Sequence, residues 1–225
     1  YIYYYNENDK YVYIVKSYPA TELDIVKKIK IPDNFYSPVL YLWNNRLVIL
    51  ASWYSYNDYR DYYWIDRNSK TYTIIYDTSD IESPKLLKLN VSDWALTKSR
   101  KIWDYLYVLS NNYFSIPYYN FGSEDDISIE IQKMLPKSLE IYKTNDENKQ
   151  NLKLDWKSYP YNVKSWNVAN CSEIEYLLPD DDTLSKYDFS PSYNIVSVFN
   201  INNTDTETKT KVIAWSNSEI YMSLD

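Results

Sequence analysis

Residues 40–50 read Leu-Tyr-Leu-Trp-Asn-Asn-Arg-Leu-Val-Ile-Leu, and residues 100–109 read Arg-Lys-Ile-Trp-Asp-Tyr-Leu-Tyr-Val-Leu. Each stretch has an apolar and aromatic run, a short polar turn and a second run of the same kind, which is the pattern of a β-hairpin. Trp43 and Trp103 are 60 residues apart. A hairpin that recurs at such a spacing predicts a repeated β-unit.

Two further runs follow each hairpin, so that each unit has four predicted strands. They lie at 71–77 and 85–91 for the first hairpin, and at 193–200 and 208–215 for the second. A third copy of the hairpin is expected at 3–15, and a further unit begins at 219–224. Alternating runs predict the complete set of strands at 11–16, 24–31, 38–43, 46–52, 71–77, 85–91, 99–103, 105–110, 193–200, 208–215 and 219–224.

Four antiparallel strands per unit predict an all-β fold of the β-propeller type. Three to four units are too few for comfortable closure, so we expect an incomplete ring or one that a partner completes. Residues 1–110 are expected to form blade-like repeats, and 192–225 return as strands of the same domain. The region between them, 111–191, is predicted to be a long insertion with irregular structure and a short helix at 126–134. Loops of this length are often functional, so partner contacts are expected there.

The composition favours strands and excludes several kinds of partner. The 225 residues include 28 tyrosines, no histidine and one glycine, Gly122. Tyrosine suits a half-buried pleated surface, and asparagine pairs such as Asn44-Asn45 can replace glycine in turns. A net charge of −7 disfavours binding to nucleic acid. No long apolar run and no basic-then-apolar leader is present, so neither a membrane span nor an export signal is expected within this chain.

The lack of histidine removes the Ser-His-Asp, Cys-His and His-metal arrangements, so we expect no catalytic residues, no cofactor and no metal site. Cys171 has neither a histidine to activate it nor a second cysteine to pair with, and an unreactive thiol is expected. One glycine cannot build a phosphate-binding loop.

Acidic residues are the remaining candidates for chemistry. The runs 124–126 and 180–182 are expected to be solvated loops, with a calcium or other cation site as the alternative. The stretch Asp77-Thr-Ser-Asp80 is expected to form a turn whose side chains bond to the backbone. Three N-glycosylation sequons begin at Asn90, Asn170 and Asn202, and Asn202 is favoured because its surroundings are typical of an exposed turn.

Similarity to a known family is carried by the stretches at 13–19, 76–87, 99–100, 104–111 and 220–225. Together they resemble the secreted β-propeller domain of bacterial and archaeal surface proteins. The resemblance implies an exported repeat domain without a transferable catalytic residue set. Similar proteins often have glycine near the turn positions that Trp94, Trp103 and Trp215 hold here.

The function expected from the sequence is that of a non-enzymatic, extracellular structural or adhesive surface protein. Its specific form would be a subunit of a filament or surface layer, completed by strand exchange, that associates with itself or with other surface proteins. The alternative is a carbohydrate- or peptide-binding module of a larger secreted protein, since tyrosine and tryptophan rings can stack on sugars. A carboxylate-based glycosidase is the third candidate.

Overall fold

The computed structural model describes residues 1–33, 35–54, 69–113, 137–141, 163–167, 171–176 and 192–215. Apart from two short 3-10 helices, Ala20–Glu22 and Cys171–Glu173, every regular element is a strand. The strands are β1 (Ile2–Asn6), β2 (Tyr11–Lys16), β3 (Asp24–Lys30), β4 (Phe35–Trp43), β5 (Arg46–Tyr54), β6 (Ser69–Asp77), β7 (Lys85–Asp93), β8 (Ala95–Ile102), β9 (Tyr105–Tyr113), β10 (Lys137–Ile141), β11 (Val163–Asn167), β12 (Glu175–Tyr176), β13 (Ser192–Asn200) and β14 (Lys209–Trp215).

These strands form three sheets. The first has the order β1-β2-β3, the second β11-β10-β7-β6-β5-β4, and the third β12-β14-β13-β9-β8. All pairs are antiparallel except β12 with β14. The described residues form no closed ring. The all-β fold with an incomplete propeller-like ring that the sequence predicted is therefore confirmed.

The second and third sheets each contain a predicted four-stranded unit. In the second sheet the unit is β4-β5-β6-β7, and in the third it is β8-β9-β13-β14, although β9 and β13 are far apart in sequence. Beyond the four strands, β10 and β11 extend the second sheet and β12 extends the third. These three short strands lie inside 111–191, where the sequence predicted irregular structure. Runs as short as these acquire strand structure by pairing with an existing edge, which their sequence alone does not reveal. The predicted helix at 126–134 and the predicted strand at 219–224 lie outside the described residues.

The two repeated hairpins have tight two-residue turns, and they correct the predicted repeat spacing. Trp43 pairs with Arg46 across Asn44-Asn45, whereas Ile102 pairs with Tyr105 across Trp103-Asp104. The structural offset is therefore 59 residues, and not the 60 that aligning Trp43 with Trp103 suggested. Both asparagines have positive φ, 45° and 57°, as a type I′ turn requires.

Tryptophan occupies left-handed backbone at two of the positions where the resemblance to the propeller family implied glycine. Trp103 has a φ of 50° in the β8–β9 turn, and Trp94 has a φ of 79° between β7 and β8. A residue with a Cβ is disfavoured in this region by about 1 kcal/mol relative to glycine. Trp215, the third tryptophan singled out from the sequence, ends β14.

We expect the Trp103→Gly variant to be more stable than the parent by about 1 kcal/mol. Trp103 is 76% exposed, so its replacement removes little buried apolar surface, and glycine relieves the backbone strain at this position. Ile102→Gly, one residue earlier at the end of β8, is the control and should lower stability. Urea denaturation measures both, and a loss of stability in Trp103→Gly would contradict the prediction.

The first sheet does not match the other two in the way that the sequence suggested. Its hairpin at 3–15 was expected to begin a four-stranded unit, but only β3 follows it before the chain enters β4. The pairing of β2 with β3 instead matches that of β6 with β7. Both pairs have seven-residue loops, 17–23 and 78–84, and both have a register shift just before the loop.

Two contacts support this alignment. The amide of Ile31, just after β3, donates to the carbonyl of Lys10, as the amide of Trp94, just after β7, donates to that of Ser69. In addition, β4 packs against β1 as β8 packs against β5. The first sheet thus holds the second, third and fourth strands of a unit. Alternating hydrophobicity is the same for any strand of a unit, so the sequence could not assign these positions.

The core lies between stacked sheets, and β5 shows why its sequence is a continuous apolar run. Leu47, Ile49 and Ala51 face the first sheet, whereas Val48 and Leu50 face the third. A strand buried on both faces needs apolar residues at every position. In the part of the chain that the structure describes, the second sheet is thereby sandwiched between the other two.

Candidate interaction surface

The outer face of the first sheet carries apolar and aromatic side chains. Alternation along each strand directs Val12 and Ile14 of β2 into the core and places their neighbours on the opposite face. The first row across this face is formed by Ile2, Val15 and Ile25, which are cross-strand partners. The outer face of the first sheet comprises Ile2, Tyr4, Asn6, Tyr11, Tyr13, Val15, Ile25, Lys28 and Lys30.

Much of this face is accessible to a partner. Ile2 is 52% exposed, Tyr4 45% and Ile25 47%. Isolated exposed apolar residues are ordinary, but a contiguous group on one sheet face is typical of an interaction surface. The face is therefore the leading candidate for contact with another protein.

Aromatic stacking and lysine side chains order the second row of the face. The rings of Tyr4 and Tyr13 stack with centroids 5.0 Å apart and an interplanar angle of 16°. The Lys28 amine lies 5.0 Å from the Tyr13 ring centroid, and the Lys30 amine lies 5.0 Å from that of Tyr11. Because these contacts occupy the Tyr13 ring, and Tyr13 is only 7% exposed, this ring is poorly placed to stack on a sugar.

The β1–β2 turn fixes the Tyr13 hydroxyl. Tyr13 donates a hydrogen bond to the Asp9 carboxylate, and the same carboxylate accepts the amide of Tyr11. The bond to Asp9 raises the pKa of Tyr13 to about 12. Tyr13 therefore remains a neutral hydrogen-bond donor even in alkaline solution where an ordinary tyrosine ionises, and the bond to Asp9 holds its ring in the aromatic row.

The two edge strands of the first sheet differ in chemistry. The outer strand β3 carries Lys27, Lys28 and Lys30, all exposed, and a register shift interrupts its pairing with β2. Lysines and bulges are the devices by which edge strands resist pairing with other chains. The other edge strand, β1, reads Ile-Tyr-Tyr-Tyr-Asn and contains no charged residue and no proline.

A second cluster joins the turns of the second and third sheets. The Asp104 carboxylate accepts hydrogen bonds from Trp43 Nε1 and Asn202 Nδ2, each at 2.7 Å, and the Asp104 carbonyl accepts the amide of Ile201. The amine of Lys101 lies 3.6 Å from the Trp43 ring centroid. The cluster holds two units in register and needs no ligand to satisfy Asp104.

The stretch from Asp77 to Asp80 forms the turn that the sequence predicted. The amide of Ser79 donates to the Asp77 carboxylate at 2.9 Å, and the amide of Glu82 donates to that of Asp80 at 3.2 Å. The Ser79 amide holds the pKa of Asp77 below its usual value, and Arg46, 2.9 Å away, contributes in the same direction. These carboxylates stabilise the local backbone, as expected.

The predicted glycosylation sites fall in different environments. Asn90 lies in β7 between β6 and β10 and is 1% exposed, so the folded chain leaves no room for a glycan there. Asn202 lies in the turn after β13 and is exposed. Asn170 lies outside the described residues, and Cys171 begins a 3-10 helix.

The remaining candidates from the sequence can be placed only in part. The acidic runs 124–126 and 180–182 lie outside the described residues. Elsewhere, within the described part of the chain, no group of three or more His, Cys, Asp or Glu side chains is arranged to hold a metal ion. None of the described helical segments is long and apolar enough to cross a bilayer.

Sequence reasoning missed both the outer face of the first sheet and the Asp104 cluster. The face had a signal, because β1 alternates Ile2 and Tyr4 with core tyrosines, but the direction of the alternation depends on which sheet packs beneath it. The Asp104 cluster had no signal in the sequence, because Asp104, Trp43 and Asn202 are distant along the chain and meet only in the folded structure.

Comparison with known proteins gives one result. Neither the curated proteins nor the solved structures contain a significant match to the chain. A family model described as the beta propeller domain matches residues 1–225, the whole chain. The match agrees with the recurring four-stranded units and their face-to-face stacking. The chain belongs to the beta propeller domain family.

Proposed function

We propose that the protein is a non-enzymatic, extracellular structural or adhesive surface protein that self-associates, as a subunit of a filament or surface layer. Propeller domains generally mediate protein interactions, which agrees with this role. The observation that supports it best is the outer face of the first sheet, where Ile2, Tyr4 and Ile25 are exposed together on one side of a sheet.

The physical argument is that stacking sheets is how this fold buries apolar surface. The second sheet is covered on both faces, and its strand β5 is apolar throughout. The outer face of the first sheet offers Ile2, Tyr4 and Ile25 for the same kind of contact. Burying apolar surface stabilises association by about 25 cal/mol per Å². A second copy that stacked on this face would therefore gain the stabilisation that the inner sheets already have.

Sedimentation velocity over a range of protein concentrations tests this function. We expect the protein to associate reversibly and the Tyr4→Lys variant to associate at least about tenfold more weakly, because a lysine ammonium is costly to bury. Leu42→Lys on β4 is the matched control, since Leu42 and Tyr4 are both 45% exposed. A protein that remains monomeric at every concentration would refute the proposal.

A carbohydrate-binding role is the second candidate, and one observation favours it. Trp103 is 76% exposed in the β8–β9 turn, and Tyr105, two residues later, is 46% exposed. Such rings are able to stack on sugar faces. Titration with surface glycans should then change the tryptophan fluorescence of the protein, and the change should vanish in Trp103→Ala. No fluorescence change in the parent protein would exclude this role.

We further propose that Asn202 carries an N-glycan when the protein is exported through a glycosylating pathway. Its exposed turn admits a transferase, whereas the strand around Asn90 does not. Mass spectrometry should find one glycan fewer in Asn202→Gln and an unchanged glycan mass in Asn90→Gln. An unmodified Asn202 together with a modified Asn90 would contradict the assignment.

A further inference from the structure

The equivalent hairpin turns of the second and third sheets differ in a way that the fold does not require. When the two hairpins are aligned by their strand pairing, Trp103 occupies the place of Asn44. Both residues have positive φ, 50° and 45°, a conformation that asparagine tolerates better than tryptophan does. Trp103 is also 76% exposed, so its ring contributes little to the core. A strained and exposed side chain, where the repeat uses asparagine, indicates a role in binding.

The Asp104 cluster leaves a hydrogen-bond acceptor unused beside this ring. Trp43 Nε1 and Asn202 Nδ2 both donate to the same oxygen of Asp104, Oδ1. Within the described part of the chain, no hydrogen bond reaches the other oxygen, Oδ2, and Asp104 is partly exposed. Each carboxylate oxygen has its own lone pairs. Oδ2 can therefore accept a hydrogen bond from a ligand while Oδ1 maintains the contact between the sheets.

Lys101 supplies a donor at the same turn. Its amine donates to the carbonyl of Trp103 at 3.2 Å and lies 3.6 Å from the Trp43 ring centroid. Lys101 takes part in none of the ion pairs among the described residues, and Leu42 stands at the equivalent position of the first hairpin. An ammonium has three N–H donors, so donors remain for a ligand. The β8–β9 turn thus combines an exposed indole ring, an acceptor and a donor.

This combination matches the chemistry of a neutral sugar. A pyranose has C–H groups that pack on an indole ring, and its hydroxyls both donate and accept hydrogen bonds. Oδ2 of Asp104 only accepts, so it favours a hydroxyl and repels a second carboxylate. Because the charges of Lys101 and Asp104 balance, the net charge of −7 on the whole chain further disfavours an acidic sugar.

We propose that the β8–β9 turn binds a neutral saccharide, which stacks on Trp103 and donates a hydroxyl to Oδ2 of Asp104. Lys101 donates to a neighbouring hydroxyl oxygen of the same sugar. This inference rests on the carbohydrate-binding role proposed as the second candidate function. It specifies the class of sugar and the polar residues that select it.

The parent protein alone provides the first test. The probes are the methyl glycosides of glucose, galactose and mannose, each compared with the methyl glycoside of its uronic acid in titrations followed by saturation-transfer difference NMR. We expect at least one neutral glycoside to bind, and its uronic acid to bind at least about tenfold more weakly. The two members of a pair differ only by a carboxylate at C6, so tighter binding of the uronic acid would overturn the assignment of Asp104.

Two variants separate the ring from the carboxylate. Trp103→Asn introduces the residue that the equivalent turn already uses, so the hairpin should fold while the glycoside no longer binds. Asp104→Asn keeps Oδ1 as an acceptor and replaces Oδ2 by an amide group that donates, so binding should weaken at least about tenfold. Asp80→Asn removes a negative charge from a turn of the second sheet and should bind like the parent. Urea denaturation verifies that each variant folds.

The outcomes separate this inference from the carbohydrate-binding role. If Trp103→Asn abolishes binding but Asp104→Asn binds as tightly as the parent, the sugar only stacks on the ring, and the inference fails while the role stands. If Trp103→Asn binds as tightly as the parent, the sugar binds elsewhere, and the inference fails as well. If no sugar of either kind binds, the inference and the carbohydrate-binding role are both refuted, and the self-association proposal is unaffected.

Discussion

Replacement of Phe35 by alanine is expected to lower the free energy of unfolding by about 3–5 kcal/mol. Phe35 begins β4 and is 0% exposed. Its ring centroid lies 4.5 Å from that of Tyr72, in the core between the first and second sheets. Truncation removes apolar contacts with residues of the first sheet and of the second sheet, and it leaves a cavity that rigid strands cannot close. The midpoint of urea denaturation measures the loss, provided that the m-value stays constant.

Val39→Ala on the same strand is the control for Phe35→Ala. Val39 is 37% exposed, so its truncation should change stability by less than about 0.5 kcal/mol. An equal loss of stability in Phe35→Ala and Val39→Ala would mean that the first sheet does not pack on β4 and β6 as described. That result would also undermine the assignment of β1 to the second position of its unit.

The Asp104→Ala variant is expected to lose about 2–3 kcal/mol of stability, because hydrogen bonds to a charged group contribute more than neutral ones. Asp104 bonds both Trp43 of the second sheet and Asn202 of the third. A double-mutant cycle with Trp43→Phe isolates one of these bonds and should give a coupling energy of about 1 kcal/mol.

Asp104→Asn tests the same cluster with less disruption. The substitution keeps an oxygen acceptor but removes the charge. It should therefore lower the free energy of unfolding by less than half as much as Asp104→Ala. A coupling energy near zero between Trp43 and Asp104 would show that this hydrogen bond does not hold the two units together and that other contacts do, such as the apolar contacts of Val48 and Leu106.

The place of the first sheet within its unit determines the chemistry of its edges. The sheet holds the second, third and fourth strands of a unit, so the uncharged strand β1 lies at one edge and the lysine-rich strand β3 at the other.

The candidate site shows where prediction from sequence ends. Exposed tyrosines were expected in general, but the composition could not tell Tyr4, at the surface, from Tyr72, in the core. Both stand in alternating strands, and the difference depends on whether a second sheet covers the face. The sequons show the same limit, because Asn90 and Asn202 have similar sequence motifs but opposite exposure.

The sequence by itself determined the longer strands, the tight polar turns and the four-stranded units of the second and third sheets. Those features are local, since alternation of period two and the conformational freedom of asparagine act within a few residues. Only the tertiary structure decided the 59-residue register, the pairing of β10 with β7 and of β11 with β10, and the place of β1 to β3 within a unit. These depend on which distant strand lies alongside, and backbone hydrogen bonds carry no sequence label that would specify the partner.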